Sequence, residues 1–191
     1  MNSKADKRFV FIDTETGGTN PQKHSLLQIG LVVWDIEKGI IDQSEYYVKS
    51  EKYFVTQEAQ RINKFNRIEH NRLAQDPKLV IKEMLVFLRQ YFNKNDYIPL
   101  IGHNVQFDVS FLKEFFNNNN RSFNRYFSHR FIDTYSVYKT LVLVGQINNN
   151  LNSSADAFKY FDIKIDNRHS AICDCLATVK LYEKLLSIIS K

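Results

Sequence analysis

The sequence predicts an α/β layer architecture, on three observations. Residues 9–12 form a continuous apolar run, Phe-Val-Phe-Ile, as in a strand covered on both faces. Two further strand-like runs, 26–34 and 40–48, follow it directly. Behind them, segments with apolar residues three and four apart alternate with short apolar runs, the pattern of helices interleaved with strands. At 191 residues and 22.5 kDa the chain supports one well-buried domain, expected over residues 1–191. Its apolar fraction of 43% and charged fraction of 25% exclude a disordered chain and a collagen-like fibre.

The elements follow in order. Residues 26–34 and 40–48 are expected to join as a hairpin across Asp35-Ile36-Glu37-Lys38-Gly39. Residues 56–63 read as a short helix with Thr56 as its N-cap. A longer helix is expected after Pro77, because Val80, Met84, Phe87, Leu88 and Tyr91 recur at helical intervals. Residues 98–101 form a short strand ending at Gly102. From Asp108 the pattern is helical, with Val109, Leu112, Phe115 and Phe116 on one face. The Asn-rich stretches 117–120 and 148–150 are expected to be loop tips. Between them lie a strand near Phe131-Ile132 and a helix through Leu143. A short helix over 154–160 precedes the last one, whose apolar stripe is Ile172, Leu176, Val179, Tyr182, Leu186 and Ile189.

No apolar run approaches the roughly 18 residues of a membrane span. The polar start through Arg8 and the short run after it do not suit a signal peptide, so a cytoplasmic protein without membrane contact is expected. Cys173 and Cys175 sit two apart on an expected helix, point away from each other and lack a second pair, so buried, reduced thiols are expected rather than a disulfide or structural zinc. The net charge of +5 and pI near 9.1 lean toward anionic partners such as nucleic acid.

Three motifs carry candidate chemistry. Asp13-Thr14-Glu15 ends the first strand, where residues two apart point to one side and both carboxylates converge. The spacing alone is not specific, since Asp35-Ile36-Glu37 repeats it in a turn, and a solvated strand end is the alternative. Gly102-His103-Asn104-Val105-Gln106-Phe107-Asp108 lies where a strand gives way to a helix, the end of an α/β sheet where ligands bind. There Asp108 reads equally as a helix N-cap. His169-Ser170-Ala171-Ile172-Cys173-Asp174 opens the last helix, where Asp174 would offset the helix dipole even without a ligand.

In this order and on these elements, the three motifs closely resemble the DnaQ-like, DEDDh family of 3′–5′ exonucleases. The resemblance covers nearly the whole chain. Leu27-Gln28-Ile29-Gly30 looks like the family's second strand, Thr56-Gln57-Glu58-Ala59 its substrate-side helix, and Asp133-Thr134 its post-strand pair. Leu151-Asn152-Ser153-Ser154-Ala155 looks like the short helix near the third motif, and the five-residue step from His169 to Asp174 matches the His variant. Two departures stand out. Asn63-Lys64 occupies the place of a frequent His-Gly pair, and Asp162, which tolerates a left-handed backbone, stands where Gly is usual.

The resemblance implies a ribonuclease H-like fold, a mixed five-stranded sheet flanked by helices with its second strand antiparallel to the rest. It also implies a metal site of Asp13, Glu15, Asp108 and Asp174, with His169 as general base. Four carboxylates so close would repel, by roughly 4 kcal/mol per pair at 4 Å and an effective dielectric near 20, so cations are expected among them. Oxygen-only ligation suits two Mg²⁺ or Mn²⁺ ions. Glu15 and the backbone at Thr16 and Gly17 would meet the 3′-hydroxyl, and His103, Asn104 and Phe107 would wall the last nucleotides. The expected activity is release of nucleoside 5′-monophosphates from single-stranded RNA or DNA 3′ ends. The alternative is a catalytically silent nucleic-acid-binding scaffold on the same fold. The resemblance leaves a homodimer open, and proofreading would require a separate polymerase chain. The run from Arg121 to Arg130 interleaves cations with aromatics, as a single-strand platform does, with aromatics packed inward as the favoured alternative.

Overall fold

Ten residues of strand β2 (Leu26–Asp35) lie between β1 (Arg8–Thr16) and β3 (Gly39–Tyr47), antiparallel to both. In this computed structural model, which describes residues 7–148, 153–165 and 169–190, β4 (Ile98–Gly102) and β5 (Phe127–Asp133) then add in parallel on the other side of β1. The sheet order is β3-β2-β1-β4-β5. This is the mixed five-stranded sheet with an antiparallel second strand that the resemblance implied, and β2 and β3 fall within one residue of the expected hairpin strands.

β1 is longer than its apolar run, and Asp13 through Thr16 remain in the ladder against Gly30 to Leu26. The acids therefore lie within the strand rather than in a loop after it. Backbone pairing fixes their direction, so Asp13 and Glu15 share the face of Phe9 and Phe11 while Thr14 shares that of Val10 and Ile12.

Each face of the sheet has its own cover. Val10, Ile12, Ile29 and Leu100 pack with Val80, Met84, Val109 and Leu112, from helices α3 (Pro77–Leu88) and α4 (Gln106–Asn118). Phe11, Val32, Trp34 and Ile101 pack with Cys175, Val179 and Tyr182 of the C-terminal helix, here α7 (Ala171–Ile189). Phe11, Trp34 and Tyr182 meet pairwise at 5.6–5.9 Å in edge-on geometry. Such pairs are worth about 0.5–1.5 kcal/mol each beyond their burial. Trp34 Nε1 also donates to Glu183 Oε1 at 2.9 Å, which fixes α7 along its length.

The expected stripe on α7 covers only part of what is buried. Leu181 and Leu185 join Tyr138, Leu141 and Phe158, from α5 (Thr134–Leu143) and α6 (Ser154–Tyr160), in a separate cluster, while Ile189 is exposed. A helix clamped between a sheet and two other helices buries two stripes, not one.

Local signals placed the remaining helices well. Thr56 caps α1 (Gln57–Asn63) through a bond from Ala59 N, and Asp76 caps α3 with Pro77 in its first turn. Ser153 caps α6, which ends with Asp162 at φ 51°, the left-handed backbone expected there. Helix α2 (Arg67–Leu73) escaped the sequence reading because His70 is its only buried residue, so it has no apolar period. Asn117 and Asn118 belong to α4 rather than to a loop tip. The second Asn-rich tip falls partly outside the described residues.

Candidate active site

The acidic motifs converge because a glycine leaves room for them. Gly30 of β2 pairs with Asp13 on one side and with Glu45 on the other. A Cβ on Gly30 would lie 2.4 Å from the carbonyl carbon and oxygen of Ala171. The first turn of α7 thus rests on bare backbone beside Asp13, and that turn carries Asp174.

Side chains of β2 and β3 receive the start of α7. Ile172 N donates to Glu45 Oε1 at 3.3 Å, Ser170 Oγ to the same oxygen at 3.0 Å, and Ala171 N to Gln28 Oε1 at 3.3 Å. Two backbone donors that a helix leaves open at its N-terminus are so satisfied, one by a carboxylate suited to the positive end of the dipole. The Tyr47 hydroxyl donates to Glu45 Oε2 at 3.1 Å, and burial together with the Glu45 charge pushes the phenol up to about 12. Glu45 was not singled out from the sequence. Its signal was positional only, a charge within a strand at the residue opposite Gly30.

His169 stands just before this helix at φ 70°, and its backbone N–H donates to Asp174 Oδ2 at 3.2 Å. The bond ties the turn to the carboxylate five residues on. One ligating atom each of Glu15, His169 and Asp174 lie within 4.8 Å of one another. Asp13, Asp108 and Asp174 all act electrostatically on Cys175, whose buried thiol is pushed well above its ordinary value, first by burial and then by these charges. The structure therefore brings Glu15, His169 and Asp174 together where the end of β1 meets the start of α7, with Asp13 on the same face of β1 as Glu15.

Asp108 arrives from the other face of the sheet. It does not cap α4, which begins two residues earlier with Val105 in the cap position and no side-chain cap bond. Asp108 is instead buried in the first turn, where its Oδ1 accepts from Thr14 Oγ1 at 2.7 Å. Burial pushes its carboxyl up to about 7 against the opposing bonds from Thr14, and the Asp133 charge adds to the rise. Among the described residues, Thr14 was the functional neighbour least visible in the sequence, because the position between two acids has no spacing signal of its own.

A cleft of about 340 Å³ opens beside the acids, lined by Glu15, Thr16, Ala59, Ile62, Asn63 and Phe107 among others. Phe107 and Thr16 thus face it, while His103 and Asn104 do not line it. His103 Nδ1 meets Thr134 Oγ1 at 3.0 Å and its ring abuts Tyr135, whereas Asn104, at φ 58°, donates its N–H to Asp133 Oδ1 at 2.8 Å. The Asp133-Thr134 pair so holds the loop that carries the second motif. Gly17 is buried with both backbone groups engaged, its N–H on Ser25 O and its carbonyl on Thr56 N, each at 2.7 Å. A Cβ there would strike Phe54 O at 2.1 Å, so this glycine admits the neighbouring chain to the cleft wall. Asn63, where the resemblance departs, donates its Nδ2 to Thr16 O at 3.0 Å and ties α1 to the end of β1.

The run from Arg121 to Arg130 turns its aromatics inward. Phe123 and Phe127 are buried and stacked at 4.7 Å, and Tyr126 packs against Phe116. Arg121 and Arg125 remain exposed.

A family model described as "Exonuclease" matches residues 10–182. The chain is 23% identical over 186 residues to Ribonuclease T of Wigglesworthia glossinidia brevipalpis, covering 93% of this chain and 84% of that protein. Its fold is similar to that of E. coli exonuclease I crystallised with a dT13 oligonucleotide, at a TM-score of 0.81 and 17% identity. That match covers 96% of this chain but only 42% of exonuclease I. The cell-death related nuclease CRN-4 is also similar, at a TM-score of 0.72 and 14% identity, over 95% of this chain and 64% of that one.

Proposed function

Because this chain belongs to the exonuclease family, we propose that it is a metal-dependent 3′–5′ exonuclease of single-stranded nucleic acid that releases nucleoside 5′-monophosphates. The observation that carries the reading is the convergence of Glu15, His169 and Asp174 within 4.8 Å, beside the strand that holds Asp13. A binding scaffold has no use for such a cluster, which costs stability through like-charge repulsion.

The donor set fits divalent cations. Asp13, Glu15, Asp108 and Asp174 offer hard carboxylate oxygens and would hold two Mg²⁺ or Mn²⁺ ions. Bound there, the ions would neutralise charge at the scissile phosphate and acidify the attacking water. His169 would take the proton of that water as general base, since one of its ring nitrogens lies within 4.8 Å of ligating oxygens of Glu15 and Asp174. Glu15 and Thr16 meet the terminal 3′-hydroxyl, and Phe107 walls the last base. His103, Asn104 and Gly17 serve the substrate through the loops they hold.

The test is time-resolved degradation of matched 5′-labelled single-stranded RNA and DNA with Mg²⁺, with EDTA, and with Asp13→Ala. A ladder shortening from the 3′ end only in the first condition is the expected result, and the faster ladder names the substrate. Binding of both strands without cleavage under Mg²⁺ or Mn²⁺ would leave the scaffold.

A further inference from the structure

A second cleft, of about 650 Å³, lies away from the acids at the far end of α4. Lys78 and Lys82 of α3 form one wall, and Arg121 with Asn119 and Asn120 forms the other. Its floor is apolar, from Ile81, Leu85 and the exposed Val86. Arg89 also lines it while holding the turn after α3 through the carbonyls of Asn93 and Asp96. The lining contains four cations and no acid, and among the described residues none of the four has a carboxylate within ion-pair distance.

Arg121 is fixed in place by the way α4 ends. Its N–H donates to Phe116 O at 2.9 Å and Asn120 N to Asn117 O at 3.0 Å, with Asn120 at φ 56°. This is a Schellman closure, and it sets the direction in which the chain leaves the helix.

One stripe of α4 joins this cleft to the acids. Phe107 lines the cleft beside Glu15, Phe111 and Phe115 line a middle groove of about 240 Å³, and Asn119 lines both that groove and the basic cleft. These four residues recur every fourth position, so they form a row that winds slowly around α4 toward its C-cap. His24 lines both the acidic cleft and the middle groove, which also carries Lys49 and one acid, Glu114. His24 and Asn119 thus each border two neighbouring depressions, which lie in sequence along α4.

We propose that this basic cleft binds the phosphodiester backbone of the single strand upstream of the 3′ end being cleaved. The proposal rests on the exonuclease reading for the direction of the strand. The twelve steps from Phe107 to Asn119 along α4 span about 18 Å at 1.5 Å each. That distance is roughly five nucleotides at a stacked spacing of about 3.4 Å. Strands of three nucleotides reach the acids but not the cleft, so the cleft selects for length.

The experiment compares the full chain with its Lys82→Ala/Arg121→Ala variant, both substituted residues being exposed. Affinity for a labelled single-stranded 20-mer is measured in EDTA across a salt series, and hydrolysis of a trinucleotide and the 20-mer is measured with Mg²⁺. The expected result is about a tenfold loss of 20-mer affinity and a salt slope smaller by about 1.4, at roughly 0.7 per lost phosphate contact, with trinucleotide hydrolysis unchanged. Unchanged 20-mer affinity, or an equal loss on both lengths, overturns the proposal. Lost affinity in a protein that cleaves neither strand would leave the cleft standing and remove the exonuclease reading instead.

Discussion

The hydroxyl of Thr14 donates to Asp108 Oδ1 across 2.7 Å, linking the middle residue of the first motif to the last residue of the second. Thr14 points to the α4 side of the sheet while Asp13 and Glu15 point to the α7 side. One strand thus presents two acids directly and positions a third through the residue between them.

Thr14→Val keeps the shape of the side chain and deletes this donor. A buried carboxylate losing a hydrogen bond costs about 1–3 kcal/mol. We expect roughly tenfold lower activity at saturating substrate, with little change in 20-mer affinity. Steady-state kinetics beside anisotropy titrations separate the two, and an unaltered turnover would show that Asp108 is placed without Thr14.

The metal-free protein should lose stability as pH rises from about 4 to above 7. The folded-state pKa of Asp108 is raised, from 3.8 to about 7, so its proton is held more tightly in the folded state. The stability is present below the unfolded value and is lost as pH climbs through the folded one. Melting curves in EDTA should show this fall, and Asp108→Asn should flatten it. Divalent cations in the buffer should oppose the fall by favouring the ionised carboxyl, so an identical slope with Mg²⁺ would count against a metal at Asp108.

Gly30→Ala tests how α7 is seated. The new methyl would meet the Ala171 carbonyl at 2.4 Å, a backbone contact that yields only if the helix start moves. Overpacking of this kind costs about 1–3 kcal/mol. The melting temperature should fall, and activity measured well below it should fall further, since Asp174 and His169 move with the helix. Full activity at 20 °C would separate the seat from the site.

Glu45→Ala removes the acceptor of Ser170 Oγ and Ile172 N. Capping losses run about 0.5–2 kcal/mol. Activity should drop several-fold, and Glu45→Gln, which keeps an acceptor oxygen, should recover most of it. Equal loss in both variants would point to the charge rather than the bond.

Much of the fold was legible because its signals are local. The hairpin turn with Gly39, the cap Thr56, Pro77 at the start of α3 and the apolar periods of α3, α4 and α7 are each contained within a few residues. Helix α2 was not legible, since a helix lying on the surface with one buried residue carries no period. The Arg121 to Arg130 run follows its favoured reading, with Phe123 and Phe127 buried and Arg121 and Arg125 exposed, although composition alone does not say which side of a loop its aromatics face.

The sequence by itself determined the strand that carries Asp13 and Glu15, the turn that brings Asp108, and the helix that opens with His169 and Asp174. Those follow from a continuous apolar run, glycine placement and helical spacing, which act along the chain. Only the tertiary structure decided that Thr14 holds Asp108, that Glu45 and Gln28 receive the start of α7, and that Arg121 joins Lys78 and Lys82. Each of these pairs residues tens of positions apart on different elements. Their contact depends on sheet register and helix seating, and no periodicity along the chain records it.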